Sequence, residues 1–226
     1  MRYSSFVDLI YNGHFIGALG LLIAVIFAII LHELAHGYVA KLNGDNTAKY
    51  NGRLTLNPIK HLDPFGFAML LIVGFGWAKP VPVNSLNFRS FRKGLFTVAI
   101  AGVCVNLILA FIFCPLFMLT IKNSAGMNEF LFEFLYFLFY GFFAVNLILV
   151  VFNLLPIYPL DGFRIIESLT RNNPYTRFMY RSGRYVLIGV FLVLYLVDII
   201  WNFNIIGYFA YDILGWPIRK FWELII

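Results

Sequence analysis

Charge is the scarcest property of this chain. Only 12% of its 226 residues are Asp, Glu, Lys or Arg, against about 25% in an ordinary soluble domain. That shortage excludes a typical water-soluble domain, and it excludes a disordered chain, which stays in solution by its charge. Cysteine is nearly absent. Cys104 and Cys114 fall in one apolar run, where helical spacing keeps them too far apart for a disulfide, and they say nothing of redox compartment. Only four histidines are present, too few for a membrane diiron oxidase or desaturase. No repeat is visible, which argues against an inverted-repeat transporter. No cleavable signal peptide is evident: Arg2 is the sole basic residue near the start, and the first apolar run ends in His and Glu rather than in an A-x-A site. Every polar loop is short, so there is no room for a separate soluble domain.

Apolar residues dominate instead. The chain is 61% hydrophobic and 19% aromatic, with mean hydropathy +0.82. This composition predicts an all-α polytopic membrane protein with about four to six transmembrane helices. Residues 15–31, 94–121 and 134–160 are uncharged, and 185–211 holds one acid, Asp198. The run 64–78 is shorter than the roughly 20 residues a helical span needs. Pro64, Gly66, Gly74 and Gly76 bracket it, so a short re-entrant or extended segment is expected near 64–84. The tail 212–226, with Trp216, Arg219, Lys220 and Trp222, reads as interfacial.

The net charge of +6 is not a nucleic-acid footprint. Most of the 17 Lys and Arg sit in three loops, 41–63, 79–93 and 161–184. The positive-inside rule puts those loops on the cytoplasmic side. The ends of the first span and of 134–160 then reach the same side.

The first span ends in His32-Glu33-Leu34-Ala35-His36. Residues i and i+4 share a helix face, so both imidazoles can reach one metal ion, and the glutamate beside them can activate a water. A shuffled chain of this composition would contain the pattern about 0.0015 times. A carboxylate in such apolar surroundings costs about 2.5–3.5 kcal/mol or more, which marks it as functional. A catalytic zinc needs a third protein ligand. The carboxylates in apolar context are Asp161 and Asp198. Asp161 follows Leu155-Pro156-Ile157-Tyr158-Pro159-Leu160 and precedes Gly162, a broken helix that presents a carboxylate inside the bilayer. Asp198 has no such break and reads as an ion pair or hydrogen bond inside the bundle.

HELAH at 32–36 and Asn153-Leu154-Leu155-Pro156-Ile157-Tyr158-Pro159-Leu160-Asp161-Gly162 together resemble the site-2 protease family of intramembrane zinc metalloproteases. Three further stretches agree: Asn57-Pro58-Ile59-Lys60-His61-Leu62-Asp63-Pro64-Phe65-Gly66, Gly76-Trp77-Ala78-Lys79-Pro80-Val81-Pro82-Val83-Asn84, and Ala101-Gly102-Val103-Cys104-Val105-Asn106. They run in the family's order over residues 31–164. The resemblance implies a single membrane-embedded metalloprotease domain over 1–226, in a compact form without PDZ or CBS modules. Its motif-bearing core is 15–164, followed by a C-terminal span and interfacial tail over 185–226.

The resemblance also implies roles. His32, His36 and Asp161 would ligate one Zn²⁺ per chain. Glu33 would take a proton from the zinc-held water and hand it to the leaving amine. Asn106 and His61 are candidates for substrate or oxyanion contacts. Asn106 reads equally as an interhelical hydrogen bond, and His61 reads more readily as a structural loop histidine, against Asp63. Residues 80–84 would offer an extended edge to an unwound substrate. The implied substrates are transmembrane segments of membrane-tethered regulators or signal-peptide remnants. The implied setting is a bacterial or archaeal cell membrane with the site toward the cytoplasm. Partners would be a membrane-spanning protein or peptide, the lipid bilayer and an unidentified regulatory membrane protein, with no nucleic acid. The competing reading is a metal-binding membrane protein without protease activity, either a divalent-metal transporter or an inactive relative. An inactive relative is expected to lack Glu33 or a ligand, and this chain lacks none.

Overall fold

The computed structural model describes residues 6–73, 76–170 and 173–226, with the side chain of Val73 left aside. Among these residues it is all-helical, with no strand beyond one isolated antiparallel bridge between Leu62 and Ala78. A short α1 (Phe6–Tyr11) leads into α2 (Phe15–Leu42). Then come α3 (Thr47–Tyr50), α4 (Pro64–Val73), α5 (Phe91–Lys122), α6 (Glu129–Asn153), α7 (Asp161–Leu169) and α8 (Pro174–Trp201). A continuous helical tail follows: α9 (Ile205–Gly207), a π-helical stretch over 208–215, and α10 (Trp216–Glu223). Helices α2, α5, α6 and α8 are long and apolar enough to cross a membrane. At 28 residues α2 is about 42 Å long, more than the roughly 30 Å of hydrocarbon. The protein is an integral membrane protein.

Helices α2, α5 and α6 form the central bundle. α2 and α6 run parallel: Gly17 faces Phe137, Gly20 faces the Phe134 carbonyl, and Gly141 faces Ala24. Small residues at helical spacing on α2 (Gly17, Gly20, Ala24 and Ala28) let the backbones approach, which is how apolar helices associate in lipid. Glu133 on α6 accepts from Gly17 N–H at 3.1 Å and pairs with His14 Nδ1 at 3.1 Å, tying both helix starts together at one end. Helix α5 runs antiparallel to both. Its far half meets α6 through stacked rings, with Phe113 and Phe142 centroids 4.1 Å apart. The starts of α5 and the ends of α2 and α6 thus meet at the opposite end.

The described residues 62–73 and 76–79 form the two arms of a re-entrant element. It enters as α4 (Pro64–Val73, 10 residues), about 15 Å of helix and half a bilayer core. It leaves beside its own entry, where Lys79 N–H donates to the His61 carbonyl at 2.7 Å. Gly66 and Gly76 make this approach possible. A Cβ on Gly66 would lie 2.2 Å from the Trp77 carbonyl oxygen, and one on Gly76 would lie 2.2 Å from that of Gly66.

Residues 208–222 of the tail pack on α5 and α6. Ala210 is fully buried in a cluster with Ala110, Cys114, Phe143 and Leu147. Trp222 Nε1–H donates to the Phe111 carbonyl at 3.0 Å, and Lys122 Nζ donates to the Ile226 carbonyl at 2.7 Å. Hydropathy reports how polar a stretch is; here the alanine and glycine faces settle where it docks.

Candidate active site

The site grows from the end of α2. Its last turns carry His32, Glu33 and His36, and the following α5 backbone carries Gly102 and Asn106. His36 Nδ1 lies 2.7 Å from the Val98 carbonyl, and His32 Nδ1 lies 3.2 Å from Asn106 Oδ1. Both partners are acceptors, so both Nδ1 atoms carry the proton and both Nε2 atoms present bare lone pairs. The two rings lie against Gly102, where no side chain intervenes: a Cβ there would be 2.5 Å from His32 Cε1 and 2.6 Å from His36 Nε2.

Asp161 arrives from the other side. After α6 ends, Pro156 and Pro159 keep the chain from continuing as helix, and α7 begins at Asp161. Gly162 folds back onto the end of α6, where a Cβ would meet the Leu154 carbonyl oxygen at 2.3 Å. Asp161 Oδ2 then lies 3.4 Å from His32 Nε2 and 3.2 Å from His36 Nε2. The two Nε2 atoms are 2.9 Å apart. Asp161 Oδ2 is buried and has no hydrogen-bond partner.

Three acceptor atoms therefore converge within 4.8 Å of one another. Such a cluster is electrostatically unfavourable unless a cation lies among them. Two imidazoles and one carboxylate fit zinc, and three protein ligands leave a coordination position open. Each imidazole is also fixed through its other nitrogen, the outer arrangement that orients metal-binding histidines.

Glu33 lines the same cavity, a space of about 140 Å³ that Pro80, Val83, Leu160 and Arg164 also border. Glu33 Oε2 accepts from the Val81 N–H at 2.7 Å. That bond places the extended segment 79–84 directly against the glutamate. Two loop side chains hold the segment. Arg53 donates to the Lys79 and Pro80 carbonyls at 2.6 and 3.2 Å. Asp45, fully buried, accepts from Asn84 N–H at 2.7 Å, Asn87 Nδ2 at 2.8 Å and Thr47 N–H at 3.0 Å. Burial pushes the Asp45 carboxyl up, but these donors outweigh it and hold the group below the usual carboxylate range. The sequence reading missed Asp45, Arg53 and Arg164. Asp45-Asn46-Thr47 is a recognisable turn signature; nothing local marks Arg53.

The other singled-out residues lie as follows. Asn106 is fully buried, with Oδ1 on His32 and Nδ2 unpartnered. His61 is outside the cavity of Glu33, with Nε2 2.8 Å from the Thr55 carbonyl. Asp63 does not meet it; its carboxylate accepts from the Gly66 N–H at 2.8 Å at the start of α4. Asn146 and Asn153 donate to carbonyls one turn back on α6, at 2.6 and 3.0 Å. Asp198 lies on the exposed side of α8, in a cleft with Asn204, and no ion pair to it is seen among the described residues.

Known proteins place the chain in a family. The profile described as Peptidase family M50 matches residues 118–197. The chain is 48% identical over 182 residues to "Putative zinc metalloprotease YwhC" of Bacillus subtilis (strain 168), covering 79% of this chain and 81% of that one. The chain belongs to peptidase family M50. It is a zinc metalloprotease of the site-2 type, embedded in lipid and acting on membrane-embedded substrates. It is also 30% identical over 196 residues to "Putative zinc metalloprotease Rip2" of Mycobacterium tuberculosis (strain ATCC 25618 / H37Rv), covering 83% of this chain and 71% of that one. An archaeal relative, "Putative zinc metalloprotease MJ0611" of Methanocaldococcus jannaschii, is 30% identical over 149 residues, 65% of this chain and 68% of that one. No solved structure matches.

Proposed function

We propose that the chain cuts transmembrane segments of membrane-tethered regulators or signal-peptide remnants, as a step of regulated intramembrane proteolysis. In this reading His32, His36 and Asp161 hold one zinc ion per chain. The observation that carries it is the convergence of three bare acceptor atoms beside a glutamate that is not one of them. Bound zinc supplies Lewis acidity to the scissile carbonyl and to water. Glu33 takes the proton of the attacking water and passes it to the leaving amide nitrogen. The Val81 N–H fixes the carboxylate for that transfer. Asn106 keeps His32 in the tautomer that leaves Nε2 free.

A substrate helix hides its peptide bonds until it unwinds, and its freed backbone groups then need partners. The extended segment 80–84 borders the cavity and supplies them. The site faces the cytoplasm of a bacterial or archaeal cell membrane: Lys41, Lys49, Arg53, Lys79, Arg89, Arg92 and Lys93 lie in the segments flanking the site end of the bundle.

The test is zinc content and cleavage of a transmembrane substrate, measured on the same detergent preparations of wild type and Glu33→Gln. One zinc per chain in both, with cleavage by the wild type alone, is the expected result. Cleavage by Glu33→Gln, or no stoichiometric metal in either, overturns the assignment.

A further inference from the structure

A cleft of about 570 Å³ opens where the starts of α5 and α8 meet α7, and it shares no lining residue with the cavity of Glu33. Ser90, Phe91 and Arg92 line it at the start of α5, Glu167 on α7, and Arg177 and Tyr180 on α8. Arg92 and Arg177 are exposed, and no ion pair to either is seen among the described residues. Glu167 is the one carboxylate of the lining, and its Oε1 already accepts from the Tyr180 hydroxyl at 2.5 Å.

The threonine hydroxyls of the lining are spent: Thr170 Oγ1 and Thr176 Oγ1 donate to the Ile166 and Asn173 carbonyls at 2.8 and 3.0 Å. Ser90 stands just before α5, and its side chain makes no capping bond. The open side-chain donors are therefore two guanidiniums and one serine hydroxyl. Guanidinium forks match phosphate oxygens, and the two positive charges outweigh the single carboxylate. The bilayer supplies such a group at this level. Arg92 lies two residues before the uncharged run 94–121, about 3 Å along the helix axis, which puts it among the headgroups. Only 6% of the apolar window of α8 is buried, so acyl chains can lie along that helix beyond the cleft.

We propose that the cleft binds the headgroup of one anionic phospholipid, with its phosphate between Arg92 and Arg177 and the Ser90 hydroxyl on a phosphate oxygen. The headgroup then joins the starts of α5 and α8 across α7. The rings of Phe91 and Tyr180 wall the space beside it, where the glycerol unit lies. A choline headgroup brings its own cation, which two adjacent guanidiniums repel, so the site selects phosphatidylglycerol over phosphatidylcholine. The proposal is independent of the catalytic reading: it needs α5 and α8 to span the membrane and nothing of the metal site.

The test uses full-length protein in detergent, titrated with phosphatidylglycerol or phosphatidylcholine and read by native mass spectrometry as lipid bound per chain. One phosphatidylglycerol is expected to bind at concentrations where phosphatidylcholine does not. Arg92→Gln with Arg177→Gln should weaken that binding about tenfold or more, the worth of one lost charge-assisted hydrogen bond. Arg181→Gln with Arg184→Gln removes the same charge from exposed positions of α8 outside the cleft and should leave it unchanged. Glu167→Gln removes the competing carboxylate and should tighten it, a gain that no folding defect would mimic. Circular dichroism checks that the helices persist in each variant. Equal weakening in both arginine pairs would show diffuse surface charge and overturn the proposal, as would equal binding of the two lipids or weaker binding in Glu167→Gln. Excess inorganic phosphate added as competitor separates the sources: displacement of the lipid by phosphate alone would make the ligand a soluble phosphate and overturn the lipid assignment.

Discussion

Replacing Gly102 with Ala sets two effects of opposite sign against each other. In a helix interior Ala is better than Gly by about 0.5–1 kcal/mol, so propensity alone makes the change stabilising. The site gives the reverse for metal binding. The new Cβ would lie 2.5 Å from His32 Cε1 and 2.6 Å from His36 Nε2, where ordinary contacts are 3.4–4 Å. The rings must move by about 1 Å, and metal–ligand distances tolerate only about 0.2 Å. Neither ring can swing freely, because each is tied to α5 itself, one through the Val98 carbonyl and one through Asn106. The helices cannot separate cheaply either, since Ala28 and Ala99 are fully buried. We expect zinc affinity to fall by 10- to 100-fold or more, the range seen when an outer partner of a ligand is removed, with cleavage falling alongside. Competition against a chromogenic chelator in detergent measures the affinity, and circular dichroism checks that the helices persist. A folded Gly102→Ala protein with wild-type zinc affinity would refute the placement of the two imidazoles against α5.

Asn106→Leu removes the acceptor on His32 Nδ1 and should lower zinc affinity by about 10–100-fold in the same chelator assay; unchanged affinity would show that His32 needs no such partner. Arg53→Ala frees the Lys79 and Pro80 carbonyls and loosens the segment carrying Val81. It should retain zinc and lower kcat/KM by about tenfold, the effect of roughly 1–2 kcal/mol of lost hydrogen bonding; zinc loss instead would mean that Arg53 supports the whole fold. Asp45 has its carboxyl held low in the folded protein, so its stabilisation is complete above the unfolded value of about 3.9 and fades as pH falls below it. Asp45→Asn should therefore be less stable than wild type at pH 7, by about 1–3 kcal/mol, with the gap closing below about pH 4. Thermal melts across that range measure it, and a gap independent of pH would refute the role of the charge.

Much of this protein was legible in its sequence because lipid leaves few choices. Backbone groups in hydrocarbon must be bonded within their own segment, so long uncharged runs become helices, and α2, α5, α6 and α8 follow. The run at 64–78 is too short to cross and carries glycines where it must pass its own entry. HELAH places two imidazoles on one face by helical period alone. Other features depend on neighbours that periodicity does not encode. The proline break already set Asp161 apart from Asp198 in the sequence; the structure brings Asp161 to His32 and His36, while α8 leaves Asp198 exposed rather than bonded inside the bundle. Hydropathy marked the tail as amphipathic; that Ala210 packs against Ala110 and Cys114 of α5 and Phe143 and Leu147 of α6 follows only from the fold. Arg53 and Asp45 look like ordinary loop charges until the chain folds back and brings carbonyls and amides of 79–87 within reach. Sequence determined which segments enter the membrane and which side chains carry chemistry. Tertiary structure decided which lone pairs face one another, because that follows from contacts between segments distant in the chain.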